Sequence, residues 1–564
     1  MDLIYLDPPF NSDRIHNVIF KSPAGERNAQ TMAFDDTWSW GPQAEDEYAQ
    51  LLVCPNTNVS ETIRSFRQFL GDSDVMAYLV MMAIRLVELH RVLKPTGLLF
   101  LHCDPTASHY LKVITDRVFG GDRYVNEIVW RRTGSHNSTR SLGQIHDIIH
   151  VYSKTKKYSF NIVRRPYMRG HVEKRYREKV DGKRRFTSGG NVLTGAGRSE
   201  GDSGKPWRGF DPTAKDRHWA VPTHYYSLMP DTFQNLSTTE KLEALYEAGH
   251  IILEDGKAWP TMVRYLDERD GVPIQDIWAY QPYTEGTVWG TEDGVDADVV
   301  WFGPTDPRRL GYPTEKPPGL LNRIIQIGSK IGDVVLDPFC GCGWAIHVAQ
   351  ATGRHWVGID ISPRAIDLVE RRLRKEFPNI KFSIRGLPTD FDGAKKLANS
   401  DKYAFQAWAN ALVDAQDYRG GKKGADDGID GLRYFRDIEN GKVVDRKVIV
   451  SVKGGANVTL DMIKTLQSTV SDYKAEVGLF VTLSRPTGPM VKQAVRGGFY
   501  TSHSGRKIPR TQILTIKELL PPHCKKPILP DPSALGDTTF KSPKSVAPTV
   551  EQTDIFVARG TKSN

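Results

Sequence analysis

Residues 333–343 read Asp333-Val334-Val335-Leu336-Asp337-Pro338-Phe339-Cys340-Gly341-Cys342-Gly343. The stretch Asp333 to Leu336 predicts a buried strand, and the residues from Gly343 to about Ala351 predict a helix. The turn between them holds two glycines, which let the backbone come close to a ligand. A second strand, His355 to Gly358, runs out at Asp360, 17 residues beyond Gly343. At that distance a carboxylate can accept hydrogen bonds from both hydroxyls of a ribose. A helix from Leu320 to about Ser329 precedes this unit. A helix over Pro363 to Glu376 and a strand over Ile380 to Ile384 follow it. The alternation predicts a parallel α/β sheet. The glycine turn fits a nucleoside-type ligand and, taken alone, also fits a plain strand-to-helix turn.

A similar strand opens the sequence. Leu3 to Leu6 is apolar and stops at Asp7-Pro8-Pro9-Phe10, because proline has no N–H for a ladder. Two prolines in succession fix φ and leave neighbouring carbonyls without local partners. With the Asp7 carboxylate these carbonyls are acceptors for an NH₂ group, and Phe10 offers a flat face to a base. An exocyclic base amine is a poor nucleophile because its lone pair is delocalised into the ring. Drawing its protons toward fixed acceptors and pyramidalising the nitrogen restores nucleophilicity. A simple strand-ending turn is the alternative reading. Further on, a helix over Ser73 to Leu93 breaks at Lys94-Pro95-Thr96-Gly97. A strand over Leu98 to His102, a helix over Tyr110 to Phe119 and a strand over Ile148 to Tyr152 follow. Asp104 stands just past a strand end, where it could line a pocket.

The chain has 564 residues and carries 76 Lys+Arg against 67 Asp+Glu, a formal charge of +9, with an isoelectric point near 9.0. The length allows three or four domains, and the charge mildly favours a polyanionic partner. The longest apolar run, Val75 to Ile84, reads as a buried helix, since a bilayer takes about 20 residues to cross. The N-terminus lacks the basic segment and cleavage pattern of a signal peptide. The cysteines, Cys54, Cys103, Cys340, Cys342 and Cys524, are odd in number and scattered, which makes no disulfide framework. Cys340 and Cys342 lack the second pair or His cluster that would complete a zinc site. A cytoplasmic protein is expected.

Composition shifts near residue 160. From Arg164 to Arg185 there are ten Lys/Arg and three Asp/Glu, with Tyr167, Tyr176 and Phe186 in or beside the stretch. No clean periodicity runs through to about residue 300, so this region reads as an insertion. Basic residues with interleaved aromatics suit phosphate contacts and base stacking; a solvated charged loop is the plainer reading. From about residue 396 a further α/β unit begins. Its strands are expected at Lys447 to Lys453 and Val477 to Leu483, its helices at Phe405 to Ala415 and Met462 to Tyr473. The tail is rich in Pro, Lys, Ser and Thr and is expected to be disordered.

Taken together, Asp7-Pro8-Pro9-Phe10 and Asp337 to Gly343 resemble the amino-methyltransferases of DNA. These carry a (D/N/S)PP(Y/F) tetrapeptide and an FxGxG-type loop in one Rossmann-like sheet. The order here, catalytic motif, insertion, then cofactor motif, is similar to the family's beta arrangement. Tyr312-Pro313-Thr314-Glu315-Lys316-Pro317 resembles the segment before the cofactor strand. Asn126 to Trp130 and His146-Asp147 to Tyr152 resemble flanking strands. The resemblance implies that Asp7, Pro8, Pro9 and Phe10 hold the target base. It implies that Asp337, Phe339, Gly341 and Gly343 cradle the methionine part of S-adenosylmethionine, that Asp360 holds its ribose, and that Thr314 and Lys316 close the site around it. It further implies methyl transfer to N6 of adenine in double-stranded DNA, with the base flipped out of the duplex. N4-cytosine methylation, or a DNA-binding or restriction protein whose methyltransferase half is inactive, are the alternatives. The family's Gly-Asp-containing segment, usual before the catalytic strand, has no counterpart ahead of Leu3; a late start, or Gly386 to Asp390 in part of that role, would account for this.

Residues 424–455 resemble the PD-(D/E)xK restriction-endonuclease-like fold, with Asp430 on a hairpin and Lys453 ending a strand. The resemblance implies Mg²⁺ on Asp430 and Lys453 beside the scissile phosphate. Ser451 stands where the family has Asp, Glu or Gln, so a nuclease-like fold kept for DNA binding or for structure is the alternative. The expected organisation is a catalytic half (1–160), a target-recognition insertion (161–300), a cofactor-binding half (301–395), an α/β nuclease-like domain (396–523) and a tail (524–564).

Overall fold

Leu3 and Ile4 pair in parallel with Val335 and Leu336, so strands more than 300 residues apart lie side by side. The computed structural model describes residues 1–9, 15–20, 29–35, 39–134, 142–180, 182–188, 193–267, 271–280, 288–290, 292–303, 306, 308–309, 315–418 and 428–530. Phe10, Thr314 and the tail from 531 lie outside the described residues, and so do the expectations placed on them; the first residues of the tail expected from 524 are ordered, with Leu529 in the core of the C-terminal domain and Ile528 paired with Gln512. The strands of the main sheet are β1 (Leu3–Leu6), β2 (Leu98–Cys103), β3 (Tyr124–Arg131), β4 (His146–Ser153), β5 (Ile277–Trp278), β6 (Val334–Asp337) and β7 (His355–Gly358). Their order is β5-β3-β4-β2-β1-β6-β7. β4 runs antiparallel to β2 and β3, and every other neighbouring pair is parallel. β1 and β2 are buried along their whole length, as befits parallel strands covered on both faces. From β1 the chain continues toward β2, and from β6 toward β7. The order therefore reverses between β1 and β6, and open α/β sheets bind ligands at the carboxyl ends of strands at such a point.

The apolar run Val75 to Ile84 lies in the helix Asp74–Val92, which Ser73 caps by accepting from the Met76 N–H at 3.2 Å. The helix expected from Tyr110 begins earlier, at Pro105. Asp104 caps it, accepting from the Ala107 N–H at 3.0 Å, and proline suits the first helical position. Asp104 thus has a structural task. The strand expected over Ile380 to Ile384 does not form. Ile380 and Phe382 pack on the cluster of Cys340, Ile346, Val369 and Leu373, but the segment joins no ladder, and β7 remains the sheet edge. Alternating burial was present without a hydrogen-bonding partner.

The chain divides into two compact units, one of which holds residues 162–275 and 280–297. That unit has its own core, including Trp207, Trp219, Tyr225, Phe233, Leu242 and Met262. Its four-stranded sheet is antiparallel, running Ile251–Ile252, Thr261–Tyr265, Lys183–Ser188 and Glu178–Val180 in order. The insertion is a folded module despite its lack of sequence periodicity.

The C-terminal α/β domain lies in the other unit. It carries β8 (Gln416–Asp417), β9 (Gly431–Glu439), β10 (Lys442–Lys453), β11 (Val477–Thr482) and β12 (Thr511–Thr515), ordered as numbered. Asn440 (φ +49°) and Gly441 (φ +73°) turn β9 into β10, the residue pair a two-residue hairpin loop demands. Val448, Val450 and Val452 face one core with Phe405 and Trp408. Ile449 faces the other with Ile463, Leu466 and Phe480. Leu387 and Ala394 join the first core, and Asp390 caps the helix Phe391–Ser400, its carboxylate accepting from the Gly393 N–H at 2.7 Å. Gly386 to Asp390 therefore introduces the nuclease-like domain and does not extend the methyltransferase sheet.

Candidate active site

β1 and β6 deliver Asp7 and Asp337 to the same end of the sheet. Burial pushes the Asp337 carboxyl well above the usual range; the Phe339 N–H opposes this, and the Asp7 and Asp360 carboxylates add to it. Phe339 N–H donates to Asp337 Oδ1 at 3.1 Å, which starts the turn. Gly341 (φ +46°) and Gly343 (φ +75°) both take the left-handed conformation. A Cβ on Gly343 would lie 2.5 Å from a Val369 methyl, so this position needs glycine for space as well as for φ.

Asp360 follows β7 and folds back on this turn. Its Oδ2 accepts from the Gly341 N–H and its Oδ1 from the Ser362 N–H, each at 2.8 Å. Burial raises its carboxyl above the usual range, and the two N–H donors oppose the shift. Asp360 therefore ties two loops together. Each oxygen retains a second lone pair that a ribose hydroxyl can address. On either side stand Ile359 and Ile361, 53% and 92% exposed. Exposed isoleucines beside a carboxylate fit a nucleoside, with the flat base on the apolar side chains. The sequence offered that signal, an Ile-Asp-Ile run at a strand end, and it went unused.

Lys316 was expected to close the cofactor site. The structure places its Nζ 2.7 and 2.6 Å from the two oxygens of Asp7, where the lysine is 8% exposed. A buried ammonium needs such a counter-ion. Asp7, Lys316, Asp337, Phe339, Gly341, Gly343 and Asp360 thus gather at one end of the sheet, with Pro8 and Pro9 directly after Asp7.

The cysteines of the turn are buried and free, and burial pushes both thiols up, which suits packing and not metal binding. Among the described residues, no group of three or more His, Cys, Asp and Glu is gathered to hold a metal. Nor is any helix among them long and apolar enough to cross a membrane.

In the insertion, Tyr176 is 3% exposed. It packs against Tyr167 and Phe186, with ring centroids 5.8 Å away in each case. Tyr176 is thus a packing residue, whereas Tyr167 and Phe186 are half-buried. Of the neighbouring cations, Arg169, Lys183 and Arg185 pair with Glu292, Asp267 and Glu178. Lys174, Arg175 and Arg177 are exposed.

In the C-terminal domain, Asp430 Oδ2 accepts from the Val452 N–H at 2.7 Å, from Lys453 Nζ at 3.2 Å and from Ser451 Oγ at 3.3 Å. The expected pair is assembled, but three donors converge on one oxygen. With a hydroxyl at 451 in place of an acid, Asp430 and Ser451 alone supply fewer oxygen ligands than the octahedral array that Mg²⁺ takes.

A mixed sheet with an acid-proline-proline turn and a glycine turn on either side of its switch point defines the S-adenosylmethionine-dependent methyltransferase fold. The chain belongs to the N6/N4 DNA methylase family, whose model matches residues 1–371, and a restriction endonuclease model of the Mrr catalytic type matches residues 397–498. The type II methyltransferase M.EcaI of Enterobacter cloacae is 30% identical over 299 residues, covering 52% of this chain and 57% of that protein. The type II methyltransferase M.HinfI of Haemophilus influenzae is 47% identical over 71 residues, covering 13% and 20%. The chain thus spans less than two thirds of the length of these curated relatives. Among solved structures, the cytosine-N4-specific PvuII DNA methyltransferase is 9% identical, with a TM-score of 0.26, covering 60% of this chain and 80% of that one.

Proposed function

We propose that this protein methylates the N6 amino group of adenine in double-stranded DNA, using S-adenosylmethionine. The observation that carries the reading is the placement of Asp7-Pro8-Pro9 and the Asp337–Gly343 turn on adjacent strands at the switch point. The chain's residues fit the cofactor: a turn whose Gly343 admits no Cβ, a buried acid at 337, and Asp360 between exposed isoleucines. When bound, S-adenosylmethionine supplies a methyl group activated by its sulfonium charge. The protein's share is positioning and electrostatics. Asp7 and the carbonyls beside Pro8 and Pro9 accept the N–H groups of the flipped amine and localise its lone pair. Lys316 fixes the Asp7 carboxylate in place. Aspartate at the first place of the tetrapeptide favours adenine over cytosine within the family. Nucleoside analysis of treated duplex DNA tests the reading.

Replacing Asp360 by alanine should weaken cofactor binding, because hydrogen bonds to charged groups are worth roughly 1.5 to 3 kcal/mol. The loop tied by the Gly341 and Ser362 N–H groups should loosen as well. Calorimetry with S-adenosylmethionine checks this; an unchanged dissociation constant would leave Asp360 as a loop clasp alone.

For the insertion, the exposed Lys174, Arg175 and Arg177 support DNA backbone contacts. For the C-terminal domain we propose DNA binding without efficient cleavage, because Asp430 carries three donors on one oxygen and Ser451 brings no charge. The full chain should leave supercoiled plasmid intact in millimolar-scale Mg²⁺ or Mn²⁺. Metal-dependent nicking that disappears in Lys453→Ala would show an active nuclease and overturn this part.

A further inference from the structure

We propose that Tyr5, His102 and Asp147 are positioning residues for the methyl-transfer reaction, forming a buried side-chain tether that fixes the end of β1 from which Asp7 emerges. The inference rests on the assignment of Asp7 to the reacting amine. The Tyr5 hydroxyl lies 3.1 Å from His102 Nδ1, and His102 Nε2 lies 3.1 Å from Asp147 Oδ2. The other Asp147 oxygen lies 3.3 Å from Arg132 Nε. Tyr5, His102 and Asp147 are 2%, 0% and 2% exposed. The row crosses β1, β2 and β4 and ends at Arg132, which is partly open to solvent.

The chemistry fixes the direction of the row at its Asp147 end. Burial acts to raise the Asp147 carboxyl, but the His102 hydrogen bond and the nearby His102, Lys316 and Arg132 charges outweigh it and hold the group below its usual range. An ionised Asp147 accepts only, so His102 Nε2 carries a proton and donates. The Tyr5 hydroxyl, which can donate or accept, completes the row at His102 Nδ1. The Trp130 ring packs edge-on to His102 at 5.6 Å and is itself anchored by Nε1–H donating to the Val299 carbonyl at 2.8 Å.

Two observations tie this row to the catalytic turn. First, Tyr5 and His102 are polar in strands that are otherwise apolar: Leu3, Ile4 and Leu6, then Leu98, Leu99, Phe100 and Leu101. Apolar residues would build the same sheet, and a break of the local pattern marks a site with a task. Second, the ladder between β1 and β6 stops at Ile4 and Leu336, whereas β1 stays paired with β2 through Leu6 and Leu101. The last residues before Asp7 are therefore held in a ladder on one side only. Tyr5 lies on that free stretch, two residues before Asp7, and the Asp7 and Asp337 carboxylates both act on its hydroxyl. The tether secures the strand from beneath, and Lys316 secures the Asp7 carboxylate itself. A misplacement of about 1 Å can cost on the order of 10²-fold in rate.

The test uses Tyr5→Phe, which keeps the ring and removes the hydroxyl, and Asp147→Asn, which keeps the shape and removes the charge. Steady-state and single-turnover methylation of duplex DNA are measured per cofactor-binding site, so that kcat and KM are read apart and unfolded protein does not count. The expected result is a fall in kcat of about 10- to 100-fold in each variant, with the S-adenosylmethionine and DNA dissociation constants within about twofold of the parent. A kcat within about twofold of the parent in both variants would overturn the proposal. So would losses that appear in KM or cofactor affinity alone, because a merely structural role would not single out the chemical step. Asp7→Ala in the same series separates the two claims: if it retains activity, the amine assignment has failed, whereas if it alone is inactive, only the tether has failed.

Discussion

Asp7→Ala should lose at least about 10²- to 10³-fold in methylation rate, the cost of removing one preorganised group that faces developing charge. Its affinity for S-adenosylmethionine should stay close to that of the parent, because the proposed function gives Asp7 to the amine and Asp337, Gly343 and Asp360 to the cofactor. The structure adds a complication that the sequence does not show. Lys316 is 8% exposed and both Asp7 oxygens lie within 2.7 Å of its ammonium. Removing one partner of a buried pair takes from the other its nearest counter-ion and is destabilising. The single variant should therefore melt earlier as well as fail in catalysis. Asp7→Ala combined with Lys316→Met removes both charges and should recover thermal stability without recovering activity. Calorimetry, thermal unfolding and a methylation assay on the same preparations check this. Activity in either variant would sink the role given to Asp7.

Gly343→Ala is expected to harm cofactor binding and stability together. At φ +75° a non-glycine residue costs about 1 to 2 kcal/mol. The new methyl would also meet Val369 carbons at 2.5 and 3.1 Å and Arg372 Nη2 at 3.3 Å. Forcing a methyl into packed surroundings costs typically about 1 to 3 kcal/mol. Arg372 donates to the Gly343 carbonyl at 2.5 Å, so a shift of residue 343 disturbs a buried guanidinium too. The melting temperature should fall by several degrees, and the S-adenosylmethionine dissociation constant should rise at least about tenfold, the equivalent of 1.4 kcal/mol. Parent-like values for both would mean the turn is looser than its packing indicates.

Much of the site was legible because its signals are local. A short apolar run ending in Asp7-Pro8-Pro9, and another running into two glycines, each encode a strand and the turn that ends it. Asp360 was legible from its spacing to Gly343. What the sequence hid depends on contacts between distant segments. The Lys316–Asp7 pair joins residues 309 positions apart, and no periodicity forecasts it. The Tyr5–His102–Asp147 row was overlooked because one polar residue in an apolar strand leaves the strand prediction unchanged. Tyr176 misled in the opposite way. Composition cannot separate rings that stack on bases from rings that stack on one another, and of Tyr167, Tyr176 and Phe186 only Tyr176 is buried. Ile380 to Ile384 had the alternation of a strand and packs accordingly, but a strand also needs a partner with free N–H and C=O groups in register. In the C-terminal domain Asp430 and Lys453 were found by position, while the convergence of three donors on one carboxylate oxygen required coordinates.

The central claim is the transfer of a methyl group to the exocyclic amine of adenine, and the most direct measurement is of the product. Unmethylated duplex DNA of mixed sequence, incubated with the full chain and isotopically labelled S-adenosylmethionine, is digested to nucleosides and analysed by mass spectrometry. The account predicts labelled N6-methyladenine, absent when Asp7→Ala replaces the parent protein. Labelled N4-methylcytosine as the sole product would contradict the adenine assignment, and no labelled nucleoside from a chain that binds S-adenosylmethionine and duplex DNA would contradict the proposed methyl transfer itself.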